Sequence, residues 1–290
     1  MASTSNSLDE ALSASRARAA GGNFLYTFPW WLLLLLLAGI YVVILIFSTE
    51  LYRDIFNELK DGILMTLTVA FTAYLLALTV GLIIALIRAN PPQPGHGLGG
   101  KAVSFLRLVL FQMATLYVSV LRGLPMLVIL LIVAFVIVPA VVNSIQATIA
   151  PQFNLRGSSP PSAVIALALA YAAFLSETLR AGIQSIEKGQ TEAARSLGMT
   201  YFQTMRYIIL PQAIRRVLPP MGNDFISMIK DSSLVTVLGI NDITQNAKLW
   251  SSATFRFAET YFVASMIYLT MTVLGSLLIR YLERRFSYGR

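Results

Sequence analysis

The sequence contains no cysteine and a single histidine, His96. The first absence excludes a disulfide scaffold, a thiolate metal site, an iron–sulfur cluster and a cysteine nucleophile. The second leaves no imidazole cluster for zinc or for a proton relay. Charge is scarce as well: 12% of the 290 residues are Asp, Glu, Lys or Arg, against 56% hydrophobic. A soluble domain carries about 25% charged residues, because its surface must be covered with them. This chain cannot do that, so a water-soluble enzyme is excluded and an integral membrane protein is implied. Length alone would suggest two soluble domains at about 150 residues each, but apolar runs of bilayer length override that expectation. The formal charge of +8 reads, in a membrane chain, as Lys and Arg retained on the cytoplasmic side and not as nucleic-acid binding.

What is present is a succession of apolar runs. Residues 1–28 are polar and Ser/Ala-rich, with Arg16 and Arg18, and read as a disordered cytoplasmic tail. Pro29–Phe47 is uncharged and opens with Trp30 and Trp31, which predicts an anchoring helix; with Tyr26, these rings suit the headgroup zone. Residues 48–61 carry both signs of charge and are placed outside. A helix is predicted over 62–87, followed by a Pro/Gly-rich loop from Asn90 to Gly100 that contains His96. Residues 103–142 are apolar but broken at Arg122–Pro125, and 143–161 form another loop. Further spans are predicted at about 162–181, 219–240 and 258–282, with a basic cytoplasmic tail over 283–290.

Counting 103–142 as one crossing gives six transmembrane helices and two cytoplasmic termini. Fifteen Lys and Arg then face the cytoplasm, against five outside: Arg53, Lys60, Arg156, Lys248 and Arg256. Two crossings would send the basic 181–218 loop outside and destroy this asymmetry. One crossing is therefore expected, with 103–121 lying along the inner membrane edge or extending the spanning helix.

Two nucleotide-type patterns overlap in the first loop, where Gly95 to Lys101 fits GxxxxGK and Gly95, Gly97 and Gly100 fit GxGxxG. A phosphate loop needs a strand before it and a Ser or Thr after the Lys; here Pro94 precedes, Ala102 follows, and membrane helices flank. The loop after residue 181 is more informative. Thr191–Leu197 reads as a short helix stopped by Gly198, thin along Ala193 and Ala194. A second helix is expected over about 202–210, ending at Pro211. Such an element is read as a solvated helical hairpin or as one that docks into a partner's cleft.

Polar residues within apolar segments form a second constellation, since a charge at the bilayer centre costs about 2.5–3.5 kcal/mol on insertion scales. Asn223, Asp224, Ser227, Lys230, Asp231, Ser232 and Ser233 crowd one helix, with Asn223, Ser227 and Lys230 on one face. They line a substrate pathway, or Lys230 and Asp231 neutralise each other or bridge subunits. Glu177 either pairs with Arg180 three residues on, or meets the cationic group of a zwitterion while Arg122 or Lys230 meets its anionic group.

The spacing Glu192-Ala193-Ala194, Gly198 four residues on, then Ile208 to Pro211 resembles the signature loop of membrane subunits in ATP-driven (ABC) importers. Thr66–Thr68, Tyr117 before Arg122–Pro125, Ser176–Ile186 and Asn223–Leu234 narrow this to the polar amino-acid (histidine/glutamine/glutamate) permeases. The match runs from about residue 62 to 282. Two departures stand out: residues 1–61 add a helix to the usual five, and Leu124 replaces the common Thr of the Arg-Gly-Thr-Pro element.

The resemblance implies an all-α, type I importer permease, with Glu192, Ala193, Ala194, Gly198 and Pro211 as coupling elements to a dimer of ATP-binding subunits. It further implies a second permease subunit, an extracytoplasmic binding protein, an amino-acid cargo and the bacterial inner membrane, with no cofactor, metal or catalytic residue in this chain. Alternatives are another zwitterionic cargo such as an opine, or a self-sufficient ion-coupled transporter; no second copy of the Asn223–Leu234 stripe supports the latter.

Overall fold

The computed structural model describes residues 30–89, 91–95, 97–148 and 155–286. The N-terminal tail, Tyr26, His96 and the last four residues lie outside this set. No strand occurs among the described residues. The chain divides into two compact units, residues 1–50 and 51–290. The first contains α1 (Trp30–Ser48), 19 uncharged residues. At 1.5 Å per residue this helix matches the roughly 30 Å of a bilayer's hydrocarbon.

The second unit opens with α2 (Glu50–Ala89), 40 residues long. The charged stretch expected to form a loop outside the helix is its opening turns. Ile55, Leu59, Gly62, Thr66, Val69 and Ala73 are all buried at alternating spacings of four and three, so one packing stripe runs unbroken through the charges. The charged side chains take the other faces, and Glu50 and Arg88 sit at the ends where the helix dipole favours them.

Residues 103–142 form two helices: α3 (Gly97–Gly123), and α4 (Met126–Ile132) running through a π-turn (Val133–Ile137) into α5 (Val138–Thr148). The break falls at Pro125, as the sequence suggests. By length and composition, five described helices suit a membrane span: α2, α3, α4–α5, α6 and α11. Of the expected spans, α1 counts only as a shorter apolar helix, Leu33–Ser48, and α9 is not among the five. The two halves of 103–142 do not fold back on each other, however. The Tyr117 hydroxyl donates to the Leu169 carbonyl at 2.6 Å, and further on the Ala134 carbonyl abuts the Gly157 backbone. The path from α3 to α5 therefore runs one way, antiparallel to α6 (Pro160–Gln184).

After α6 come α7 (Lys188–Ser196), α8 (Tyr201–Thr204), a second π-turn (Met205–Ile209) and α9 (Leu210–Asp231). The span expected over 219–240 thus begins earlier, at Leu210, and Pro219 and Pro220 lie inside it. Beyond Asp231 the chain tightens into a 3₁₀ segment, Ser232–Leu238, which ends at Gly239. The Ser232 hydroxyl, which donates to the Ile229 carbonyl at 2.7 Å, offers the backbone an alternative to the regular helix. Then follow α10 (Ile243–Thr254) and α11 (Phe257–Phe286).

Helix α10 is held against α2 and α11. Ile55, Leu59, Ile243, Ala247, Val263 and Ala264 form one buried cluster. A Cβ at Gly62 would lie 2.5 Å from the Ile243 nitrogen, so only glycine admits this approach. Asp242, fully buried, caps α10. Its carboxylate accepts from the Gln245 N–H at 2.8 Å and from the Tyr268 hydroxyl at 3.2 Å. Burial pushes the Asp242 carboxyl up to about 6.

The folded state thus holds this proton more tightly than the unfolded chain, whose Asp titrates near 3.9. The associated stability is complete below that value and is lost as pH rises through about 6. The melting temperature of the detergent-solubilised chain, followed from pH 4 to 7, is expected to fall relative to that of Asp242→Asn, which retains the cap without the titration.

Candidate functional site

The loop between α6 and α9 is a closed hairpin. Helix α7 ends in a Schellman motif: the Gly198 N–H donates to the Arg195 carbonyl at 2.9 Å and the Met199 N–H to the Ala194 carbonyl at 3.1 Å. Gly198 has φ +77°, and no atom lies within 4 Å of where its Cβ would stand, so backbone conformation and not space requires glycine. A capping box opens α8, with the Gln203 N–H donating to the Thr200 hydroxyl and the Thr200 N–H to the Gln203 side chain. Ile186, Ile209 and Ala213 form a small buried cluster at the base of the loop.

Two expectations for this loop are corrected. Pro211 does not end a helix; it occupies the first turn of α9, where its missing N–H is tolerated. Nor do Ala193 and Ala194 form one thin outer flank. Ala194 is buried against its own chain, while Glu192 and Ala193 are exposed. The exposed apolar surface is instead Leu197, Phe202 and Tyr207, at 81%, 69% and 63% exposure. The sequence reading missed them, although large apolar residues in a polar loop are a visible signal.

Deeper in the fold, Glu177 is the meeting point of two arginines. Arg88 on α2 donates from Nη1 to Glu177 Oε2 at 2.8 Å, and Arg180 donates to both carboxylate oxygens, through Nε at 3.3 Å and through Nη2. Arg88 was outside the sequence-level site because 89 residues separate it from its partner.

Helix α9 presents two carboxylates to α6, and neither meets a cation among the described ion pairs. Asp224 accepts from the Thr178 hydroxyl at 3.3 Å, and Asp231 from the Tyr171 hydroxyl at 2.7 Å. Mutual neutralisation of Lys230 and Asp231 is therefore not what the structure contains; adjacent helical residues point apart. Asn223 and Lys230 are exposed, with Ser227 half-buried between them on the same face. Ser232 is buried and Ser233 half-buried. Arg122 lies 5.7 Å from the centre of the Phe174 ring, a cation–π distance. Of the expected residues, Asp224 thus meets α6 through Thr178 and Arg122 meets it through Phe174, Tyr171 joins Asp231 to the same helix, and Asn223 and Lys230 take an exposed face of α9.

The family model described as "Binding-protein-dependent transport system inner membrane component" matches residues 100–288. A probable glutamine ABC transporter permease of Bacillus subtilis (strain 168) is 34% identical over 238 residues, covering 82% of this chain and 97% of that protein. A glutamate/aspartate import permease of Escherichia coli O157:H7 is 34% identical over 227 residues, covering 78% and 92%. The crystal structure of an amino acid ABC transporter with histidines contains a chain 35% identical to this one. It superposes with a TM-score of 0.64 over 82% of this chain and 97% of that one.

Replacing Gly198 by Ala forces a Cβ into the left-handed region, at about 1 kcal/mol. Hydrogen exchange should show the Gly198 and Met199 amide positions losing about fivefold in protection, with α6 and α9 unchanged.

Proposed function

The chain belongs to the family of binding-protein-dependent transport system inner membrane components, and we propose that it moves a polar amino acid inward by alternating access. It is an ABC permease, a transport subunit and not an enzyme; ATP hydrolysis belongs to a separate subunit. In this reading it sits in a bacterial cytoplasmic membrane with both termini inside. It pairs with a second permease subunit, stands on a dimer of ATP-binding subunits and receives cargo from an extracytoplasmic binding protein. The glutamine and glutamate/aspartate cargoes of its relatives support a polar amino acid.

The observation that carries the reading is mechanical. Helix α7 begins two residues after Ile186, which packs with Ile209 and Ala213 in the cluster that joins the end of α6 to the start of α9. The Thr178–Asp224 and Tyr171–Asp231 hydrogen bonds of these two helices form the polar belt. A displacement of α7 by a partner's ATPase cycle therefore reaches the belt without a flexible linker between them. Glu192, Ala193 and Leu197 present the docking face, Ala194 and Gly198 set its shape, and Pro211 starts the helix that receives the motion.

Within the belt the ammonium of the cargo meets Asp224, whose carboxylate holds one hydroxyl and keeps acceptor capacity, while Arg122 or Lys230 meets the carboxylate. Asn223, Ser227, Ser232 and Ser233 supply neutral polar groups along the path. Glu177 already holds two guanidinium groups and acts as the tie between α2 and α6.

Glu192→Lys should reduce co-purification of the ATP-binding subunit about tenfold, equivalent to about 1.4 kcal/mol, with membrane insertion intact. Normal coupled transport in that variant would refute the docking assignment. Asp224→Asn, which leaves only a neutral amide for the ammonium, should raise the uptake KM by about tenfold or more while the complex still assembles. An unchanged KM would remove Asp224 from the site.

A further inference from the structure

A cavity of about 650 Å³ opens beside the α6–α9 loop, away from the polar belt. Its walls are Leu86 and Ile87 at the end of α2, a diproline turn with Gln93, Arg107 and Leu110 on α3, and Tyr201 at the start of α8. No acidic residue is among them. Arg107 is exposed, and no hydrogen bond or ion pair of it occurs among the described residues.

The helix carrying Arg107 is unusual in its first half. Val103, Phe105, Leu106, Leu108, Val109 and Met113 are exposed over more than half of the helix circumference, and burial begins only at Ala114. A protein partner covers one stripe of a helix; apolar side chains over so wide an arc require a medium that wraps around it, and for a span-length apolar helix that medium is lipid. An arginine on such a helix is tolerated when its head reaches the interface and finds an anion.

We propose that this cavity holds the phosphodiester headgroup of an anionic phospholipid from the leaflet on the α6–α9 loop side. Arg107 is its charge partner, Gln93 and Tyr201 are polar neighbours, and the acyl chains run along α3. A zwitterionic lipid fits less well, because its ammonium would find no carboxylate among the lining residues. Basic cavities between spanning helices at the cytoplasmic edge are the setting in which acidic headgroups bind. Since Tyr201 follows the Schellman turn of α7 directly, the lipid touches the hairpin that docks the partner.

The test places a reporter at the cavity. Full-length Tyr201→Trp is reconstituted in phosphatidylcholine vesicles containing equal mole fractions of brominated phosphatidylglycerol or brominated phosphatidylcholine, and quenching by the native tryptophans is subtracted using the parent chain. Brominated phosphatidylglycerol should be enriched about fivefold at the reporter, and Arg107→Gln should remove the preference while Arg107→Lys keeps it. Equal quenching by the two lipids, no quenching by either, or a preference that survives Arg107→Gln would overturn the proposal. Should the reporter variant misfold, native mass spectrometry of the otherwise unaltered chain from mixed-lipid vesicles decides the same point. Retained phosphatidylglycerol must then be lost on Arg107→Gln, and its persistence refutes the site.

Discussion

Helix α6 can be surrounded by its neighbours because so much of it is alanine. Ala163, Ala166, Ala168, Ala170, Ala172 and Ala173 are all buried, together with Ser162 and Ser176. In a bilayer, lipid tails are as apolar as leucine, so helices associate through close packing and polar contacts more than through expulsion of water. Small side chains make the approach possible, and each neighbour then delivers at least one polar group to α6. Helix α3 brings Tyr117 to the Leu169 carbonyl, α2 brings Arg88 to Glu177, and α9 brings Asp224 to Thr178 and Asp231 to Tyr171. Packing and polarity converge on the same helix, and the candidate site is built around it.

These contacts differ in stiffness. The α2–α6 contact is a carboxylate shared by two guanidinium groups, and breaking it would strand charge in a poorly solvated place. The α6–α9 contact rests on hydroxyl-to-carboxylate hydrogen bonds, whose members can exchange partners with water or with a polar cargo. Helix α9 is also irregular at both ends, with a π-turn before it, a 3₁₀ segment after it and two internal prolines. Such interruptions are where helices bend. The stiff joint and the soft joint therefore meet on opposite neighbours of α6, a distribution suited to one helix moving past a fixed pair.

Much of this was legible in the sequence, because a membrane chain cannot conceal its apolar runs. The helices α1, α6 and α11, the break before Pro125 and the stop at Gly198 follow from local rules that tertiary context did not override. Where the reading differs from the structure, the deciding contact is distant or the local signal is ambiguous. Charges at 50–61 looked like a loop until Ile55 and Leu59 found α10 and α11. The two halves of 103–142 have the same composition whether they reverse or continue, and only the Tyr117–Leu169 and Ala134–Gly157 contacts give their direction. Pro211 ends a helix or starts one with equal local justification. Arg88 and Glu177 are invisible as a pair to any window of sequence.

The signature of the α6–α9 loop illustrates a division between frame and contact. Gly198 closes the Schellman turn, Ala194 seats α7 against its own chain, and Pro211 opens α9; these residues define geometry and offer little surface of their own. Leu197, Phe202 and Tyr207, between and beyond the motif positions, are exposed, and Lys188, Glu192, Arg195 and Arg206 are exposed on the same loop. An apolar centre with a charged rim is the anatomy of a protein interface, where the centre contributes most of the affinity and the rim sets orientation. Under the proposed docking, the strict backbone demands of the motif would mark the place of the element, and the exposed residues between and beyond the motif positions would carry the contact.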